Sequence, residues 1–443
     1  MEGYFIVGAT AAGVTFIFTF LMRLLAPRID AMAQPGARSV HAEPTPTLGG
    51  LAMFLGLLAA MLVASQLHQF REMFDGSSEP IGILLAAAVM VVVGAVDDVR
   101  EVSPPAKVAG QVLSGSLLSL FGVTMLYFRV PFASYEYIVL SPDIASLLTV
   151  IGVVVLANAM NLIDGLDGLA AGIAAIAGLA LFLYADRLFK AGLLEGSNIG
   201  PLVAVMVVGM AVGFLPHNFN PARIFMGDAG AMLLGLMLAV TTITVGGRTA
   251  DQFSGQTYFF FAPLLIPIVI LGVPILDTAF SFFRRLVRRQ SWSQGDREHL
   301  HHRLMRLGHG PRRSVVILWC WTALLSATAL VPTYTNRGNA LVPIALLGLA
   351  LVLYSYFHPG VVEARRESRA AVSAQALGDS PADEHGDGLA DEPTQEVPVT
   401  RVTSDDEDDG EAEADAVADT PTEVAEVVDL DERRRAAGGG RGA

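Results

Sequence analysis

The sequence predicts an all-α integral membrane protein: a polytopic bundle of about eleven transmembrane helices followed by a disordered C-terminal tail. Three observations predict it. Apolar residues make up 53% of the 443 and charged residues only 16%, against roughly 25% charged in an average soluble domain. The mean hydropathy is +0.52, with the apolar residues gathered into long runs. The acidity is confined to one end: Pro359–Ala443 carries 23 Asp and Glu against 8 Lys and Arg, whereas Met1–His358 carries 20 against 21. The formal net charge of -14 is therefore a tail of -15 on a body of +1. A single cysteine, Cys320, excludes a disulfide scaffold, and no strongly basic surface is present for a nucleic acid.

A hydrocarbon core about 30 Å thick takes roughly 20 apolar residues per helix. Eleven runs meet that need, at about 4–26, 48–67, 81–97, 108–129, 144–160, 168–185, 199–216, 229–246, 258–283, 314–332 and 338–357. The first has no basic region before it and is followed by Arg23 and Arg28, so it reads as a retained helix with an outside N-terminus. Odd-numbered loops and the tail then face the cytoplasm. Of the 21 Lys and Arg in the body, 15 fall on odd loops or their helix ends, which agrees with the positive-inside rule. Residues 1–358 are thus expected to form one membrane-embedded domain. Residues 359–443, with the run Asp405-Asp406-Glu407-Asp408-Asp409, cannot bury enough apolar surface to offset chain entropy and read as a disordered cytoplasmic tail.

Five polar clusters interrupt this apolar body, and each falls on an odd loop. The first, Arg38 to Gly50, offers Arg38 and His41 as phosphate contacts, or is a basic loop with turn prolines. The second pairs Asp97-Asp98 with Lys107 after Ser103-Pro104-Pro105. Adjacent carboxylates at a membrane boundary are costly unless solvated, paired or metal-bound, and on a helix their side chains diverge into different roles. The third places Asn161, Asp164 and Asp167 at intervals of three, on one face if helical, with Gly165 and Gly168 permitting a break. The fourth runs from His217 and Asn218 to Asp228, which opens the eighth apolar run; Asp228 either caps that helix or binds Mg²⁺. The fifth contains Asp277, an arginine-rich stretch, and Glu298-His299-Leu300-His301-His302-Arg303, suited to phosphate contact or proton handling near neutral pH. Carboxylates, amides, Lys, Arg and His on one side of the membrane point to an anionic ligand with a hard metal, for which Mg²⁺ and phosphate are the natural combination.

These motifs resemble those of the polyprenyl-phosphate N-acetylhexosamine-1-phosphate transferases. Val96-Asp97-Asp98 with Ser103 to Lys107, Asn161 to Gly168, Asn218 to Asp228, and Glu298 to Leu304 carry the likeness in order, over about Gly3 to His358. The resemblance implies a bacterial plasma-membrane enzyme with a cytoplasmic site, a UDP-sugar donor, a polyprenyl phosphate acceptor, UMP as product, and Mg²⁺ (or Mn²⁺) as cofactor. It also suggests a homodimer. Arg38 to His41 and the interruption of the histidines by Leu300 are similar to the branch that uses UDP-GlcNAc. The alternative branch uses UDP-MurNAc-pentapeptide. By this resemblance Asp228 binds the metal, Asp98 supports the metal region as part of the catalytic set, and Asp97, Lys107 and His302 act at the reacting phosphates. Arg38, His41, Asn161, Asp164, Asp167, Asn218, His299, His301 and Arg303 hold substrate. The first loop departs from the family pattern, with Ala33 where an Asp commonly precedes x-Pro.

Three rival readings fit less well. An intramembrane aspartyl protease needs Gly where Phe225 stands, and a CDP-alcohol phosphotransferase needs an Arg soon after Asp164-Gly165. A transporter would set its charges near mid-bilayer on broken helices, whereas these clusters sit at the ends of apolar runs.

Overall fold

The computed structural model describes residues 1–34, 43–100, 102–128, 138–248, 265–288, 299–335 and 338–358. These are almost entirely helical. Fourteen α-helices follow one another: α1 Glu2–Leu25, α2 Gly49–Gln66, α3 Arg71–Asp75, α4 Glu79–Val99, α5 Pro104–Leu120, α6 Pro142–Ile163, α7 Leu169–Lys190, α8 Gly200–Asn218, α9 Gly227–Gly246, α10 Leu265–Ile270, α11 Gly272–Arg288, α12 Leu300–Arg306, α13 Pro311–Thr335 and α14 Leu341–Phe357. Two short antiparallel hairpins join them, β1 (Met32–Ala33) with β2 (Thr45–Pro46) and β3 (Tyr127–Phe128) with β4 (Ile138–Val139).

Among the described residues eight helices are long and apolar enough to cross a membrane: α1, α2, α4, α6, α7, α8, α9 and α13. The expected count of about eleven is therefore not reached by this measure. Two of the remaining expected runs form helices of 17 residues, α5 and α14, short of the usual span. The third, 258–283, lies partly outside the described residues and continues through α10 and α11.

The bundle is organised around α9. Its sequence is apolar all round, and every residue from Ala229 to Gly246 is buried, as expected of a helix enclosed by others rather than facing lipid on one side. α2, α4, α6 and α8 pack around it. α1, with its apolar side chains Phe5, Phe16, Ile17 and Phe20 exposed, lies outside against α2 and α8. Because α4 and α9 run in opposite senses, the C-terminus of α4 and the N-terminus of α9 meet at one end of the bundle. The ends of α6 and α8 and the start of α5 join them there. At the opposite end, Leu126 donates its N–H to the Gly247 carbonyl and Arg248 pairs with Glu79.

Candidate active site

The end of the bundle where α4 finishes and α9 begins gathers the second, third and fourth polar clusters. α5 starts at Pro104, whose ring suits a first helical turn, and this brings Lys107 over the α9 N-terminus. Lys107 Nζ lies 2.6 Å from Asp97 Oδ2 and 2.5 Å from Asp228 Oδ2. Asn161, in the last turn of α6, donates from Nδ2 to the same Asp228 oxygen at 3.1 Å. One ammonium thus bridges carboxylates on two helices, reaching 121 positions along the sequence to Asp228. Asp97 Oδ1 also accepts the Val102 N–H at 2.9 Å, which anchors the turn into α5.

Asp98 has a different task, as its divergence from Asp97 on α4 foretold. It accepts the backbone N–H groups of Asp228 (2.7 Å) and Ala229 (3.4 Å). The free N–H groups of α9 are thus satisfied by a carboxylate from another helix. Asp228 itself makes no side-chain cap of α9, so the capping alternative for Asp228 does not hold. Gly227 makes this approach feasible: its φ is +67°, and a Cβ there would collide with the Asp98 carboxylate.

The third cluster is not one helical face. α6 ends at Ile163, Asp164 is its C-cap, and Asp167 and Gly168 (φ +79°) lie in the turn into α7. The paired glycines break the helix, so the interval of three does not stack these side chains. Asp167 Oδ2 accepts from Asn220 Nδ2 (2.8 Å) and the Ala222 N–H (3.0 Å), which ties this turn to the 219–226 loop. Asn218 is buried and spends both ends within the protein: Oδ1 accepts the Gly168 N–H (2.9 Å) and Nδ2 donates to the Ile224 carbonyl (3.0 Å). Asp164, by contrast, has no hydrogen-bond partner among the described residues. Burial, with the Asp228 and Asp167 carboxylates nearby, pushes its carboxyl up to about 8.

The histidine segment closes over this turn. His299 is the N-cap residue of α12, and its Nδ1 lies 2.9 Å from Asp277 Oδ2 on α11. The His301 ring stacks on His299, with planes 2° apart, and covers Gly165, where a Cβ would overlap it. The His302 ring centroid is 4.3 Å from that of His301, and Arg303 is on the exposed face of α12. Burial pushes the His301 imidazole down to about 3. That favours the neutral ring, which suits contact with substrate.

Arg38, His41 and Glu298 lie outside the described residues. The flank of the first cluster does reach the site: Phe225 donates its N–H to the Pro46 carbonyl, and Gly49 and Gly50 donate to the Phe225 and Met226 carbonyls. One pair escaped the sequence reading. One turn deeper than Lys107 and Asn161, Asn158 Nδ2 donates to Gln111 Oε1 at 2.6 Å, and Gln111 is fully buried. The signal was present, since Gln111 is four residues beyond Lys107 and Asn158 three before Asn161, each on the same helix face as its partner.

Charge is unbalanced here. Among the described residues the Lys107 ammonium is shared by two carboxylates, Asp97 and Asp228, with Asp98 and Asp164 beside Asp228. Among the described residues no three His, Cys, Asp or Glu side chains converge into a ready-made metal cage.

A helical membrane bundle with a carboxylate-rich, lysine-bridged mouth defines the class: a polytopic membrane protein with a polar site at one end of its helices. Residues 80–246 match glycosyl transferase family 4. The chain is 38% identical over 360 residues to a decaprenyl-phosphate N-acetylglucosaminephosphotransferase of Mycobacterium leprae, covering 79% of this chain and 89% of the relative. It is 34% identical to a probable undecaprenyl-phosphate N-acetylglucosaminyl 1-phosphate transferase of Bacillus subtilis, over 71% and 81% of the two chains. An Escherichia coli O157:H7 undecaprenyl-phosphate alpha-N-acetylglucosaminyl 1-phosphate transferase is 26% identical, over 77% and 87%. The chain belongs to glycosyl transferase family 4.

Proposed function

We propose that this protein transfers N-acetylglucosamine-1-phosphate from UDP-GlcNAc to a polyprenyl phosphate, releasing UMP, with its site and tail facing the cytoplasm and with a homodimer as its assembly. The observation that carries this reading is the surplus of carboxylates around Lys107 at a membrane-level mouth, in a chain whose relatives are named for that transfer. A lipid phosphate oxygen attacks the β-phosphorus of the donor. The bond to the bridging oxygen of the α-phosphate breaks, and UMP leaves with that electron pair.

Phosphoryl transfer of this kind asks the protein mainly for positioning and charge neutralisation. Lys107 is the mobile countercharge: held by Asp97 and Asp228 before substrate arrives, it turns to the phosphates as they enter. Asp97 positions that ammonium. A phosphate monoester is already largely ionised at pH 7, so no strong base is required of it. Asn161 fixes the Asp228 carboxylate through its amide. Mg²⁺, or Mn²⁺ in its place, would be held by Asp228 with Asp164 beside it and would supply neutralisation of the diphosphate. The Asp164 carboxyl, half-buried and without a hydrogen-bond partner among the described residues, fits that role. Mg²⁺ is commonly held by only one or two carboxylates plus substrate phosphates, so no preformed cage is needed. His302 and Arg303 sit beside the turn that carries Asp164 and serve the sugar-phosphate.

The test is UMP release by the full chain in detergent with polyprenyl phosphate and Mg²⁺, run with UDP-GlcNAc and UDP-MurNAc-pentapeptide in parallel. Release with UDP-GlcNAc alone is expected. Release only with the pentapeptide donor would move the protein to the peptidoglycan branch, and release with neither would overturn the enzymatic reading.

A further inference from the structure

Asp277 is a carboxylate that the proposed chemistry does not use. It is 2% exposed, inside α11, 22 residues before the histidine it meets. Both its oxygens are engaged by the histidine segment: Oδ1 accepts the Leu300 N–H at 2.7 Å and Oδ2 faces His299 Nδ1 at 2.9 Å. Capping α12 would need only one oxygen. The second fixes a ring. An ionised carboxylate only accepts hydrogen bonds, so a neutral His299 ring facing Asp277 Oδ2 donates from Nδ1 and leaves its lone pair on Nε2. The His301 ring lies parallel to His299 at a centroid distance of 5.8 Å and sits on Gly165, the residue after Asp164. One buried carboxylate therefore orients the His299 ring, and the ring parallel to it, His301, covers the turn between α6 and α7.

We propose that Asp277 is a positioning residue for the transfer reaction, acting through His299: it holds the Nδ1–H tautomer and presents Nε2 as the acceptor toward the substrate. This rests on the GlcNAc-phosphate transfer reading above. The decisive variant is Asp277→Asn. Its amide oxygen still accepts the Leu300 N–H, but its NH₂ donates to His299 Nδ1 and forces the opposite tautomer, the logic by which an Asp→Asn change disables a hydrogen-bonded catalytic histidine.

The experiment is a double-mutant cycle of Asp277→Asn with His299→Gln, measuring kcat and KM for UDP-GlcNAc in the full chain, together with histidine ¹⁵N NMR. A fall in kcat of about 100-fold is expected for Asp277→Asn, with KM changed less than about three-fold and the melting midpoint retained. In the His299→Gln background the same substitution should cost less than about two-fold, because its route is already gone. Asp277→Glu should recover part of the rate and serves in the cycle if the Asn variant does not fold. A wild-type kcat in Asp277→Asn, or an equal loss in both backgrounds, would overturn the proposal. If the wild type releases no UMP, the transfer reading fails instead. The ¹⁵N spectrum then still decides whether His299 is Nδ1-protonated in the wild type and switched in the Asn variant; an unswitched ring would overturn the positioning role on its own.

Discussion

The two ends of the α4–α9 pair carry ionic groups of opposite design. At one end Arg248 meets Glu79 at 2.5 Å and also donates to the carbonyls of Gly122 (2.7 Å) and Thr124 (3.3 Å). One acid faces one base, with Nη2 and Nε of the guanidinium engaged. At the other end one lysine faces both Asp97 and Asp228, with the Asp98 carboxyl on the start of α9 and the Asp164 carboxyl beside Asp228. The first end is a closed staple that ties the end of α5, the start of α4 and the end of α9 together. The second is left short of positive charge, and the deficit is what a cation and a phosphate-bearing ligand would fill. The same two helices thus hold a structural ion pair and an open one, and charge balance rather than the presence of charge separates them.

That contrast is broken most severely by Asp228→Asn. UMP release should fall by roughly 10³-fold or more, while the melting midpoint holds or rises because a surplus charge is gone. Full turnover would remove Asp228 from the reaction. Glu79→Gln should do the reverse. It leaves Arg248 short of its countercharge and should lower stability by on the order of 3 kcal/mol, read as a lower melting midpoint, with specific activity of the folded enzyme unchanged. A loss of activity without a loss of stability would show the two ends to be coupled.

A smaller effect is expected from pH. Asp164 is raised from 3.8 to about 8 in the folded protein, so it keeps a proton that the unfolded chain has lost. Its contribution to stability is complete below about pH 4 and declines as pH rises through 8. Without divalent ion the melting midpoint should therefore fall between pH 6 and 8.5, and Asp164→Asn should flatten that slope. Added Mg²⁺ should raise the midpoint more at pH 8.5 than at pH 6.5, because binding displaces the proton. A Mg²⁺ effect independent of pH would exclude Asp164 from the ion's surroundings. The smallest effect is expected from ending the chain near Arg369: the acidic tail would be repelled by anionic headgroups, and transferase activity should stay as in the full chain.

Much of the site was legible because a polar residue at the end of an apolar run is conspicuous. Asp97, Lys107, Asn161 and Asp228 each interrupt such a run, and the structure brings all four within hydrogen-bonding contact. What spacing does not encode is partnership across the bundle. Asp228, which opens the α9 run, was the candidate to cap that helix. The choice fell to Asp98 only because α4 ends beside Gly227, whose left-handed backbone admits the carboxylate. The pairing of Asp277 with His299 depends likewise on α11 and α12 meeting, which no local pattern records. The helical bundle was legible from composition, but the number of crossings was not, because α5 and α14 fall at the length where span and short helix overlap.

We propose that the cation site lies at the end bearing Lys107 and Asp228 and not at the end bearing Glu79. Mn²⁺ binding followed by electron paramagnetic resonance, on the wild type, Asp228→Asn and Glu79→Gln under the same conditions, tests it most directly. One bound Mn²⁺ is expected in the wild type and in Glu79→Gln, with affinity lowered at least about ten-fold in Asp228→Asn. Equal binding by the wild type and Asp228→Asn, or a loss confined to Glu79→Gln, would contradict it.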